Sequence, residues 1–368
     1  MNDIKVPKRI ENSIINALQG GVVPRVGLGY IAVGREQEIK ALLKDIEIIQ
    51  EGGSTFRFLT GDYGSGKTFL LQTIKEHVMA KGFVVADADL SPERSLVGTG
   101  NKKKGLATYR ELMKNLSIKT SPEGGALALI LDNWIDSMWM EAAKSISGGV
   151  SGLNLEKMVT DSILTTIMDM QVMVHGYDFS NMLIIYWKAY KAGDIETKAK
   201  ALRWLRGEYQ LKRDAKEDLG INNIINDGDW FDYIKIWSEF FKKINYNGFL
   251  IMIDEMINIY RYRNSATRYN NYETMLMMYN DALQGKAKSL GIIMGGTPKA
   301  LEDPVKGVFS YEALKSRLSA GRFTGHESVN LMAPIIRIQP LTKSELVILM
   351  EKIRDIHSDL SGYQSRVT

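Results

Sequence analysis

An α/β fold built on an open parallel sheet is what this sequence predicts, and three observations predict it. Short apolar runs of strand length recur along the chain; a glycine-rich turn joins the first of them to a helical pattern; and the next run follows that helix after a single glycine stop. Strand, turn, helix, strand in that order is one βαβ unit, which leaves its strands parallel and its helix packed on the sheet. With 368 residues, 45% of them hydrophobic, the chain is long enough to bury a sizeable core.

Taken in order, Pro7 can open a helix that places Ile10, Ile14, Ala17 and Leu18 on one face and stops at Gly20 and Gly21. After Gly34, the segment REQEIKALLKDIEIIQ spaces Ile39, Leu42, Leu43 and Ile46 helically, with Glu36 and Glu38 at the favourable positive end of the dipole. A strand over 55–60 leads into the glycine-rich turn. The next helix turns Leu70, Leu71, Ile74 and Val78 inward and ends at Gly82, and 83–86 forms a second strand. Similar runs at 249–253, 291–295 and 335–338 bring the expected sheet to five strands. Between the second and third strands, 102–243 reads as helices with loop signals at 145–152 and 221–228. It contains all six tryptophans (Trp134, Trp139, Trp187, Trp204, Trp230 and Trp237), which are expected to form a helical core rather than a ligand-stacking surface. The expected organisation is a first part of the core over 1–101, a helical insertion over 102–243, the second part of the core over 244–340, and a further helical element over 341–368.

Composition excludes several chemistries. There is no cysteine, which removes disulfides, thiolate metal sites and cysteine nucleophiles. His77, His175, His326 and His357 lack metal-type spacing, and no G-x-S-x-G elbow occurs. A formal charge of +4 and a pI of 8.8 are only mildly basic. No signal-type segment opens the chain and no run reaches the roughly 20 apolar residues of a membrane span, so a soluble protein with no membrane partner is expected, in keeping with a cytoplasmic one.

The turn carries the chemistry. GDYGSGKT (Gly61, Asp62, Tyr63, Gly64, Ser65, Gly66, Lys67, Thr68) matches G-x-x-x-x-G-K-[ST] between a strand and a helix, and Phe69 follows. Glycines let backbone N–H groups wrap phosphates, Lys67 reaches the outer two, and the Thr68 hydroxyl can ligate Mg²⁺. Such a site needs an acid for the metal at the same sheet edge. FLIMIDE supplies an apolar strand ending in Asp254, a metal ligand, and Glu255, which would polarise the attacking water; the alternative is that both acids cap a following helix. Thr297, after the fourth strand GIIMGG, would lie between the Asp254 strand and the turn strand and could sense the γ-phosphate, or merely bond backbone in its own turn. Arg317, on a helix beyond, could act as an arginine finger toward a neighbouring subunit in a homo-oligomer, against the ordinary reading of a solvated arginine. Tyr260, Arg261, Tyr262, Arg263, Arg268, Tyr269 and Tyr272 interleave aromatic and basic residues in a way that suits DNA, although tyrosines packed inward beside solvated arginines explain it equally.

These residues resemble a known group, the AAA+ ATPases of the initiator type, and within them the ATP-binding proteins of BREX-like bacterial phage-defence systems. The resemblance runs through GYIAVGREQE, FRFLTGDYGSGKTFLLQ, FVVADADLSPERSL, GLATYRELM, RWLRGE, FLIMIDE, NDALQGKAKSLGIIMGGTP, SYEALKSRL and IIRIQPLT. It implies an ATPase of the bacterial cytoplasm that acts with other defence proteins, a helicase among them, in an assembly working on invading DNA. It also implies ATP as the nucleotide, with Gly34 and Arg35, beside Ile31 and Val33, lining the adenine side; no guanine-reading N-K-x-D motif occurs. Proteins of this type continue into a helical lid and often a winged helix. Only the start of a lid fits over 341–368, with Arg354 as its one arginine candidate, to which no role is assigned. Two other readings stand beside an ATPase: a nucleotide-dependent switch that recruits a protein with little turnover, and a kinase, which the Asp254–Glu255 pair disfavours.

Overall fold

A computed structural model of the chain describes residues 6–98, 102–145, 152–319 and 333–363. Its sheet has five strands: β1 (Ser54–Thr60), β2 (Val84–Asp89), β3 (Phe249–Asp254), β4 (Leu290–Gly296) and β5 (Ile335–Arg337). They lie in the order β2-β3-β4-β1-β5, every pair parallel. Parallel pairing sends all the carboxyl ends to one edge, where ligands of open α/β sheets bind. The register sets Thr60 opposite Gly296 and Asp89 opposite Asp254 along that edge.

Both faces of the sheet are covered, which is why the central strands β3 and β4 read as nearly unbroken apolar runs. Alternate side chains go to opposite faces. On one face Leu59, Val85, Leu250, Met252 and Ile293 meet Leu42, Ile46 and Ile49 of the helix Glu36–Gln50 and Leu70, Ile74 and Val78 of the helix Lys67–Ala80. On the other, Phe56, Phe58, Phe249, Ile251 and Ile253 join one continuous core with the helices of the middle segment, ending in Trp230–Lys243. Trp134, Trp187, Trp204, Trp230 and Trp237 are buried there, and Trp139 packs against that core. Three of their indoles find partners as well as apolar neighbours: Trp204 Nε1 donates to Asn223 O at 2.8 Å, and Trp230 Nε1 donates to Leu96 O and Trp237 Nε1 to the Tyr109 hydroxyl, each at 3.0 Å, while Trp134 Nε1 is buried without one.

β2 runs three residues beyond its expected end at 86 because Asp87, Ala88 and Asp89 continue the ladder with Met252, Ile253 and Asp254. Pairing with a central strand outweighs the polar composition, and Asp87 is offset by an ion pair with Lys75. The stretch 221–228 lies between helices, as the loop signals indicate, while 146–151 lies outside the described residues. Helix Lys8–Gln19 packs against helix Lys343–Ser361 through Ile14, Ile15 and Ile356, in a cluster that includes Ile31, Phe69 and Leu349. The two ends of the described chain therefore meet over the helix that follows the glycine-rich turn. Among the described residues, no helix is long and apolar enough to cross a membrane.

Candidate functional site

β1 delivers its last residue, Thr60, into the turn, and the helix resumes at Lys67. Gly64 (φ 76°) and Gly66 (φ 90°) occupy left-handed conformations that a side chain disfavours. At Gly61 a Cβ would lie 2.5 Å from Ser65 Oγ and 2.9 Å from Ile338 O, so nothing larger fits. The hydroxyls of Thr60 and Ser65 are buried without a protein partner, and buried polar atoms left this way mark a strained or ligand-bearing spot. Lys67 curls back over the turn, its Nζ donating to Gly61 O at 2.8 Å and Asp62 O at 2.9 Å, 5.7 Å from the centre of the exposed Tyr63 ring. A narrow glycine cradle, orphaned hydroxyls and a helix N-terminus suit a phosphate chain.

Asp254 closes β3 beside this cradle, buried to 7% exposure. Its Oδ1 accepts the Glu255 N–H at 2.7 Å, and Thr68 and Lys67 lie near enough to the same carboxylate to favour its charged form. Burial pushes the Asp254 carboxyl above its ordinary range and the Glu255 charge adds to that, while Lys67 and Thr68 pull the other way. The structure thus joins the two candidate metal ligands, one hydroxyl and one carboxylate, next to the candidate phosphate lysine. Glu255 follows in a left-handed turn (φ 64°), an uncommon conformation for a side-chain-bearing residue and one that clusters at functional sites. Neither acid caps the next helix: the N-cap of Ile257–Tyr260 is Met256, with no side-chain cap.

Two neighbours of Asp254 belong to no sequence motif. A Cβ on Gly295 would lie 2.2 Å from Asp254 Oδ1, so glycine in β4 is what leaves room for the carboxylate. The paired glycines inside GIIMGG were the available signal, since glycine within a strand marks close approach. Asp89, directly across from Asp254, has its pKa raised by burial and by the charges of Asp254 and Asp87, with Arg94 opposing.

Thr297 follows β4, between β3 and β1, and is 7% exposed; its Oγ1 accepts the Ala300 N–H at 3.3 Å as N-cap of Pro298–Glu302. It thus performs the local turn role while also lying at the edge. Arg317 is not drawn to this edge: its Nε donates to Asn280 Oδ1 at 3.2 Å and its Nη1 to Ala313 O at 2.7 Å.

On the other side of the turn, Ile31, Val33, Arg35 and Phe69 line a cavity of about 190 Å³ with Gly64, Ser65 and Gly66, closed by Leu341 and Leu349. Arg35 ties the walls together, donating to Ser65 O at 2.8 Å and to Gln339 O. Gly34 sits so close to Glu345 that a Cβ would lie 2.5 Å from Oε1. Leu341 and Leu349 carried no sequence signal, because only folding brings them here from some 300 residues away. A larger groove of about 730 Å³ between Lys8–Gln19 and Lys343–Ser361, where Arg354 lies, contains none of the turn or acidic residues. The basic and aromatic stretch is divided: Arg268 is buried and donates to Tyr262 O at 2.6 Å, and Tyr272 is buried and donates to Lys306 O at 2.6 Å. Arg261, Arg263 and Tyr269 remain exposed.

A parallel sheet that brings a glycine-rich turn, the N-terminus of the next helix and a buried carboxylate to one edge is the build of the P-loop nucleotide-binding proteins. The chain belongs to the family of BREX system ATP-binding proteins BrxC/D, whose family model matches residues 6–368. No curated protein matches it. Membership makes it an ATP-binding protein of a phage-defence system, with other proteins of that system as partners.

Proposed function

We propose that the protein hydrolyses ATP with Mg²⁺ as an AAA+-like ATPase of the cytoplasm, and couples that cycle to DNA or to a partner helicase. One observation carries the reading: Thr68 and Lys67, at the start of the helix after the turn, lie beside the buried Asp254 carboxylate, with Glu255 next in the chain. A hydroxyl and a single carboxylate fit Mg²⁺, which takes one or two protein oxygens and completes its shell with water and phosphate. Among the described residues no group of three His, Cys, Asp or Glu could hold a metal alone, so the phosphates would have to supply the remaining ligands. Mg²⁺ bound there would neutralise charge developing on the phosphates. Lys67 would leave the Gly61 and Asp62 carbonyls for the outer phosphates, Glu255 would orient and polarise the water, and Thr297 would sense the γ-phosphate from between the Asp254 strand and the turn. The order β2-β3-β4-β1-β5 supports the AAA+ assignment. The division follows: a core of 1–101 and 244–340, an insertion over 102–243 and the start of a lid over 341–368. Gly34 and Arg35 would border adenine in the cleft closed by Leu341 and Leu349. Arg317 would serve a neighbouring subunit's nucleotide in a homo-oligomer.

Steady-state ATP hydrolysis by the wild type and Glu255→Gln, with and without duplex and single-stranded DNA, tests this. Wild-type turnover that DNA stimulates at physiological salt, lost in Glu255→Gln while ATP still binds, is the expected result. Equal turnover in both proteins would remove the role given to Glu255. A second reading, a nucleotide switch that recruits a protein, is favoured by the apolar tip between the helices Gly152–Met168 and Gly176–Ala192, where Met168, Val172, Val174 and Tyr177 are exposed. Tight ATP binding with negligible, DNA-insensitive turnover would select it.

A further inference from the structure

We infer that Asn258 is the positioning residue that holds Glu255 in its working orientation, an inference that rests on the hydrolytic reading above. Glu255 occupies a left-handed conformation that an L side chain adopts only when its surroundings impose it. The contacts that impose it are few. Asp254 Oδ1 holds the Glu255 N–H at 2.7 Å, and the Glu255 carbonyl accepts from Asn258 twice, from the backbone N–H at 3.0 Å and from Nδ2 at 3.3 Å. The same Nδ2 donates to Leu90 O at 2.8 Å, and Leu90 N–H donates to Asp254 O at 3.0 Å. Asn258 is thus the side chain that stitches the Glu255 turn to the chain leaving β2.

The requirement is chemical. An amide carries two N–H donors on one nitrogen, and two carbonyls from separate strand ends converge on it; an ionised carboxylate has no donor and an alkyl side chain none. Without the clamp, Glu255 keeps its carboxylate but loses a fixed direction for it. Misplacement of a reacting group by about 1 Å is enough to cost on the order of a hundredfold in rate. Phosphate binding rests on other residues, so the effect falls on turnover rather than on affinity.

The test uses the full chain with Asn258→Ala, with Asn258→Gln, which retains the donors, and with Asn258→Ala combined with Glu255→Gln. Steady-state kcat, binding of a fluorescent ATP analogue and thermal melting are measured for each. The expected result is a kcat at least tenfold lower in Asn258→Ala with analogue affinity unchanged, partial recovery in Asn258→Gln, and no further loss when Asn258→Ala is added to Glu255→Gln. A merely structural role would instead lower analogue affinity, or cost the same factor in both backgrounds, and either outcome overturns the inference. So does an Asn258→Ala kcat within twofold of wild type while Glu255→Gln is inactive, which leaves the hydrolytic reading standing. If Asn258→Ala fails to fold, Asn258→Gln decides the matter: wild-type analogue affinity with wild-type or partly lowered kcat supports the clamp, and loss of affinity overturns it. Wild-type turnover that does not depend on Glu255 removes the role given to Glu255 and this inference with it, whereas the absence of wild-type turnover removes the hydrolytic reading itself.

Discussion

Gly295→Ala asks whether the space beside Asp254 is part of the machinery. The added methyl would sit 2.2 Å from Asp254 Oδ1 and 2.8 Å from its Cγ, whereas ordinary contact begins at 3.4 Å, so the carboxylate must retreat by about 1.2 Å or the strands must part. Parting β3 from β4 would strain the pairs Met252↔Ile293 and Ile253↔Met294 at the centre of the sheet. Turning the side chain away is cheaper, and it sacrifices the bond to the Glu255 N–H and the nearness to Thr68. Overpacking of this kind costs about 1–3 kcal/mol of stability. If Asp254 holds the metal as proposed, displacing it by that distance should lower turnover about a hundredfold, or roughly 2.7 kcal/mol of barrier. The assay is kcat across a magnesium titration, with ATP-analogue binding and thermal melting in parallel, and Gly296→Ala as a control on the same strand. There the Cβ would meet the flexible end of Met256, with Cε at 2.7 Å, and the loss should be smaller. A folded Gly295→Ala protein with wild-type kcat and magnesium dependence would refute the reasoning.

Further outcomes follow from the same geometry. Lys67→Ala should leave the melting temperature of the nucleotide-free protein nearly unchanged, since its Nζ bonds only turn carbonyls, while ATP affinity falls by roughly ten- to a hundredfold, as loss of a charge-assisted contact requires; titration calorimetry reads it. Glu76, on the helix after the turn, has its carboxyl pushed above the ordinary 4.5 by burial, partly offset by the Gly27 amide, His77 and the Leu28 amide. A raised carboxyl stabilises fully below the unfolded-state value and loses that contribution as pH rises through the folded one. Glu76→Gln should therefore gain stability relative to wild type as pH rises across that window, and parallel urea curves at each pH would exclude the effect. Arg317→Ala, at an exposed position, should change stability by no more than about 0.5 kcal/mol. It should cost turnover, by about a thousandfold, only where wild-type activity rises with protein concentration; a strictly monomeric, fully active variant removes the arginine finger.

The turn at 61–68, the apolar strand ending at Asp254 and the helix stops at Gly21 and Gly82 are all legible in the amino-acid sequence, because each is enforced within a few residues of itself. A glycine allows a left-handed backbone wherever it stands, and an apolar run of five ends in a buried strand in most folds that accept it. The tryptophans are equally legible as a core, since their area leaves them little else to do. Other features give no such local warning. Arg268 and Tyr272 share a composition with Arg261 and Tyr269, yet two are buried and two exposed, and only packing against the rest of the chain separates them.

The sequence by itself therefore determined which chemistry the chain carries: a phosphate-type turn, a lysine, a hydroxyl and an acidic pair. Tertiary structure alone decided what stands around them. Strand order set Thr297 between β3 and β1, register set Asp89 across from Asp254, close approach made Gly295 indispensable beside that carboxylate, and the packing of the last described helix brought Leu341 and Leu349 over the turn. The physical reason is range: backbone rules act over one turn of chain, whereas neighbours across a sheet are chosen by the joint burial of segments hundreds of residues apart.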